Sequence, residues 1–204
     1  MLAAITTVVL GACAPAATPV APISAPTSAS TKAQTATASH GGHSATDPNA
    51  PFDAQFIDAM IVHHEGAIVM AKDARVQAQR AEIKTLAEAI ISAQDAEIKQ
   101  MKTWRAGWFA ELKDTGGMAM DMGPMAVPAG DAPYDIRFID AMIPHHEGAI
   151  AMAKEALAKS ERAEIKALAQ TIITAQTAEI AQMKQWREAW AKSALHHFPP
   201  TART

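Results

Sequence analysis

Two adjacent histidines bracketed by methionines occur twice in this chain of 204 residues. The first copy runs from Phe56 to Lys72 and holds Met60, His63, His64 and Met70; the second runs from Phe138 to Lys154 and holds Met142, His145, His146 and Met152. Downstream of each lies a second set, Gln94, Glu97 and Met101, then Gln176, Glu179 and Met183. Imidazole with thioether suits Cu(I), and imidazole with carboxylate suits Cu(II), zinc or iron. The donor set points to a soft-metal site, with copper first and zinc or iron as alternatives. The single cysteine excludes an internal disulfide and a thiolate-rich zinc site.

Other chemistries fit less well. A zinc protease built on His64-Glu65 needs a histidine where Ile68 stands. A carboxylate di-iron centre wants histidine three residues after glutamate, and Gln100 and Gln182 occupy those places. No nucleophile constellation or phosphate-binding loop is present, so binding without turnover is favoured over an enzyme. A net charge of -3 with no basic patch gives no reason to invoke nucleic acid.

The elements that position these residues are legible as a duplication. The register that carries Phe56 onto Phe138 also carries Ala81-Glu82-Ile83-Lys84 onto Ala163-Glu164-Ile165-Lys166 and Trp104-Arg105 onto Trp186-Arg187, without a gap. Conservation of this extent implies tandem duplication. Ala, Glu, Lys, Gln, Ile and Leu dominate each unit and no strand-like alternation interrupts them, so the units are helical. The expected helices span residues 52–79, 81–112, 134–159 and 162–193. Each repeat is then a helical hairpin that cannot bury its apolar stripe alone, and two hairpins make an all-α four-helix bundle. Repeat one spans 52–112, a Gly- and Met-rich crossover 113–133, and repeat two 134–193. Pro144, where repeat one has Val62, is expected to kink or loosen its helix just before His145.

At about 100° per residue, with Met60 at zero, His64 lies at about 40° in the middle of the buried stripe, and His63 at about 300° on its flank with Met70. This wheel assigns His64 and His146 inward, facing Glu97 and Glu179 on the partner helices. It assigns His63 and His145 to the side with Met70 and Met152, as a separate and softer site near the surface. Asp58, Glu65 and Lys72 fall on the far side and read as solvated. Gln94 and Glu97 interrupt an apolar stripe, and a buried carboxylate needs a cation or a full set of donors. A structural network, with neutral His64 donating to Glu97, is the plainer alternative. The crossover carries Met118, Met120, Met122 and Met125, readable as Cu(I) captors or as an apolar patch over the bundle end.

Before the repeats, residues 1–13 form an apolar run ending in Leu10-Gly11-Ala12-Cys13. This is the pattern of a bacterial lipoprotein signal with Cys13 as the lipidated residue, although no Lys or Arg precedes the run. Residues 14–51 are an Ala/Pro/Ser/Thr tether unable to bury enough surface to order, and 194–204 form a tail. The expected location is the periplasm or cell surface, with membrane attachment only through the lipid and homo-oligomerisation left open.

Met-Ile-x-His-His-x-x-Ala-x-x-Met-Ala, followed by Ala-Gln-x-x-Glu-Ile-x-x-Met-x-x-Trp, resembles the bacterial domain-of-unknown-function family numbered 305. The resemblance covers both repeats, from about Phe52 to Trp190. It implies a ferritin-like four-helix bundle, secreted or lipid-anchored, with some relatives tied to copper binding and copper tolerance. Carried onto this chain, its motif positions are Met60, His63, His64, Met70, Gln94, Glu97 and Met101, then Met142, His145, His146, Met152, Gln176, Glu179 and Met183. A ferritin-like metal-dependent oxidoreductase and a structural module with a polar core are the competing functions.

Overall fold

The structure is a computed structural model that describes residues 47–196, the last four by backbone alone. The signal with Cys13, the tether up to residue 46 and residues 197–204 lie outside the described residues. Four helices follow in order, α1 Phe52–Gln77, α2 Ala81–Trp108, α3 Tyr134–Lys159 and α4 Ala163–His196. No strand occurs among the described residues. Helix α2 packs on α1, α4 on α3, and the two hairpins meet through α1 and α3. The expected all-α bundle of two tandem hairpins is what forms.

Two apolar cores show how the hairpins cross. The first joins Phe56, Ile57 and Met60 of α1 to Met101 of α2, Met152 and Ala156 of α3, and Ile165 and Ile172 of α4. The second joins Met70, Ala71 and Ala74 of α1 to Ile83 and Ile90 of α2, Phe138 and Met142 of α3, and Met183 of α4. The start of α1 thus lies on the end of α3 and the reverse, so the two helices run antiparallel and cross midway. Each core takes residues from both repeats, which is why neither hairpin suffices alone. Burying an aromatic of the size of Phe56 or Phe138 contributes about 1.5–3 kcal/mol.

The joints match in their cation–π contacts and differ in their carboxylates, since both Asp135 oxygens accept while Asp53 Oδ1 has no hydrogen-bond partner. Asp135, at the start of α3, accepts backbone N–H bonds from Gln79 and Arg80 in the α1–α2 turn, at 3.3 and 3.0 Å. Arg80 lies 4.0 Å over the Trp190 ring, and Arg162 lies 4.0 Å over Trp108.

Three details depart from expectation. Helix α2 stops at Trp108 and not at residue 112: Phe109 leaves helical geometry, and Arg105 donates to the carbonyls of Phe109, Leu112 and Lys113. Asp58 is not solvated; its carboxylate accepts from Arg105 Nε at 2.8 Å and from the Thr115 backbone and hydroxyl at 3.1 and 2.9 Å. This cluster anchors the start of the crossover to α1. Residues 47–51, expected as the end of the tether, pack on the bundle, with the Asp47 N–H donating to the Thr115 carbonyl at 2.9 Å and Ala50 buried. Among the described residues no helix is long and apolar enough to cross a membrane.

Candidate metal centre

His63, His64, His145 and His146 all have no solvent exposure, and they sit where α1 and α3 cross. The expectation that His63 and His145 lie to the side, near the surface, is therefore corrected. The wheel allowed α1 one buried face, but α1 packs against both α2 and α3. His63 turns toward α3 and meets His145, ring centroids 3.8 Å apart. Met70 and Met152 are buried as well, and each sits in the core of the opposite repeat: Met152 with Met60 and Met101, Met70 with Met142 and Met183. Grouping Met70 with His63 by wheel angle missed this exchange, which follows from the antiparallel crossing.

His64 and His146 face the other way, as expected. His64 Nε2 is 2.7 Å from Glu97 Oε2, and His146 Nε2 is 2.7 Å from Glu179 Oε2. A carboxylate only accepts, so Nε2 carries a proton, and in the neutral ring it is Nδ1 that keeps the lone pair. Both carboxylates reach the edge of the bundle, with 16% and 22% of the side chain exposed, so water completes their solvation.

The interior is less well provided. Among the described residues, nine buried side-chain atoms lack a hydrogen-bond partner. Eight are both ring nitrogens of His63 and His145, Nδ1 of His64 and His146, and Oε1 of Gln94 and Gln176. Buried polar atoms are almost always satisfied, so such a concentration calls for an unseen partner. Every one of the eight presents or can present a lone pair.

Electrostatics keeps the inner pair neutral. Burial, then the neighbouring imidazoles of His64 and His146, lower the His63 pKa to about 3. Burial, then the His63 ring, lower that of His145 to about 2. The backbone of Met122 and of the facing histidine offsets this in part without reaching hydrogen-bond geometry. A neutral imidazole is the form that binds a metal.

No three His, Cys, Asp or Glu side chains converge on one point among the described residues. Buried thioether sulfurs lie in the adjoining cores, and imidazole with thioether is the combination that favours a soft monovalent ion. With a metal–nitrogen bond of about 2 Å, the 6.3 Å between the His63 and His64 rings has room for one shared ion. His145 and His146, at 6.4 Å, repeat that spacing. The 3.8 Å contact of His63 with His145 does not.

Sequence reasoning missed Gly66 and Gly148. A Cβ on Gly148 would lie 3.2 Å from His63 Nε2, and one on Gly66 would lie 3.3 Å from His145 Nε2. Each repeat's glycine thus makes room for the other repeat's inner histidine. The available signal was a glycine inside a helix in both copies, which costs about 1 kcal/mol relative to alanine and asks for a reason. The crossover was also misplaced. It packs across the middle of the bundle, with Gly117 against Ala59 and Gly123 against the backbone of His145.

The model of a family described as a domain of unknown function (DUF305) matches residues 24–105 and again 53–187. None of the curated proteins compared with the chain matches it. Among solved structures, CopM in its Cu(I)-bound form is 41% identical with a TM-score of 0.59, over 69% of this chain and 99% of CopM. Its Cu(II)-bound form is 43% identical with a TM-score of 0.60, over 68% and 97%. CopM is also solved in silver-bound forms. A DUF305 protein of Streptomyces coelicolor assigned as secreted is 26% identical with a TM-score of 0.54, over 64% of this chain and 87% of its own.

Proposed function

The chain belongs to the DUF305 family, and from that premise we propose that it is an extracytoplasmic protein that binds and buffers copper in two buried sites, one per repeat. The observation that carries this reading is the group of six unpartnered imidazole nitrogens on His63, His64, His145 and His146 at the crossing of α1 and α3. In each site the adjacent histidines, His63 with His64 or His145 with His146, supply two imidazoles. Buried thioethers line the cores on either side: Met60, Met101 and Met152 in one, Met142, Met183 and Met70 in the other. Glu97 and Glu179 act through the histidines they touch, holding Nε2 protonated so that Nδ1 faces inward. A carboxylate in that position behind a ligating imidazole is a recurrent arrangement in metal sites. Gln94 and Gln176 each carry a buried amide oxygen without a hydrogen-bond partner. The solved copper forms of CopM support copper as the ion, and copper tolerance as the role follows from sequestering it.

The secreted assignment of the Streptomyces coelicolor relative supports an extracytoplasmic location. Cys13 would anchor the chain by lipid, with the segment up to residue 46 as a tether. In an oxidising compartment thioethers hold Cu(I) without the liability of thiols.

Titration of the purified chain with Cu(I) against a competing chelator tests the reading. At least one equivalent is expected to be withheld from the chelator, with a rise in melting temperature, because a ligand selective for the native state stabilises it. No uptake and no thermal shift with any metal would leave only a structural polar core.

A further inference from the structure

The two sites are built from duplicated residues, but the crossover that covers them is present once. Its turn from Asp121 to Met125 lies over the crossing of α1 and α3. There Gly123, at φ 67°, lets the backbone reach His145: a Cβ on it would stand 2.9 Å from the His145 nitrogen and Cα. Any other residue would be strained at this φ as well as crowded. The Gly123 N–H is held by the Asp121 side chain at 2.9 Å.

What this turn presents to the two inner histidines differs. Through the gap over Gly66 it presents a thioether. A Cβ there would overlap the Met125 methyl, would stand 2.7 Å from Met125 Sδ, and would be 3.3 Å from His145 Nε2. Sulfur and imidazole nitrogen share one small space. Through the gap over Gly148 it presents backbone: a Cβ there would stand 3.0 Å from the Asp121 carbonyl oxygen, 3.4 Å from the Met122 carbonyl carbon and 3.2 Å from His63 Nε2. His145 Nε2 has no hydrogen-bond partner to compete for it. Met125 is only partly buried, so its side chain is free to adjust, and a thioether is a flexible, polarisable ligand.

The geometry points to Met125 as an additional soft ligand that caps the His145–His146 site alone, making the two duplicated sites unequal. This inference rests on the copper reading of the histidine pairs. It assigns a metal role to one crossover methionine and withholds it from Met122, whose backbone stands nearest the gap over Gly148.

Silver titration of the full chain, followed by imidazole nitrogen and methionine methyl NMR signals, tests the inference. In the wild type the Met125 methyl and His145 ring are expected to shift together as Ag(I) is added. Met125→Leu, close in volume, is expected to weaken the His145–His146 site by about tenfold or more, since even outer-shell partners of a metal ligand command that range. The His63–His64 site is expected to be unchanged in that variant, and both sites unchanged in Met122→Leu. A Met125 methyl that stays fixed while His145 shifts would overturn the cap and leave the copper reading standing. Equal effects of Met125→Leu and Met122→Leu would do the same. Absence of any imidazole shift would overturn both.

Discussion

Acidification from about pH 7.5 to about pH 4.5 is expected to lower the unfolding free energy by about 5 kcal/mol through His63 and His145 alone. Both rings are held neutral in the fold, with pKa values of about 3 and about 2. Once released by unfolding they regain the ordinary value of 6.5. Below that value the unfolded chain binds two protons that the folded chain refuses. Stability is therefore full above pH 6.5 and falls as the pH drops toward the folded values. Each histidine contributes a slope of about 1.4 kcal/mol per pH unit. Domains have about 5–15 kcal/mol in all, so the loss would be visible as a large fall in the urea midpoint. Replacing both residues with asparagine should flatten the profile between about pH 6.5 and about pH 4.5. A profile equally steep with and without them would place the acid sensitivity elsewhere.

Replacing His64 and His146 together with alanine is expected to abolish Cu(I) uptake while leaving the bundle folded. Each site loses one of its two imidazoles, and the other stands against the histidine of the opposite repeat, too close to hold an ion between the rings. Folding should survive because Glu97 and Glu179, the partners set free, already reach solvent. Glu97→Gln with Glu179→Gln separates positioning from ligation. An amide can accept but need not hold the tautomer, so affinity should fall by about 10–100-fold without vanishing. Chelator-competition titrations of the three proteins measure this directly. Unchanged stoichiometry in the double alanine variant would sink the two-site account.

Much of this was legible from residues alone, for reasons that also mark the boundary. The duplication, the helices and the pairing of His64 with Glu97 follow from local periodicity and from the hairpin that each repeat forms by itself. His63 was misread because a helical wheel scores one buried face, whereas α1 carries two. The second face is announced by Gly66, the small residue beside which His145 packs, but nothing local says which helix approaches it. The exchange of Met70 and Met152 between repeats depends on the direction in which the hairpins cross. Asp58 looked solvated since its partners, Arg105 and Thr115, are distant in sequence. Met125 could not be singled out among four crossover methionines until Gly123 placed the turn against His145.

The central claim is that buried imidazole pairs, assisted by thioether sulfur, hold a soft ion at the crossing of α1 and α3. X-ray absorption at the copper edge of the full chain loaded with Cu(I) tests it most directly. The account predicts a reduced ion of low coordination number, with imidazole nitrogen and thioether sulfur in its first shell. An oxygen-dominated shell without imidazole scattering would contradict it.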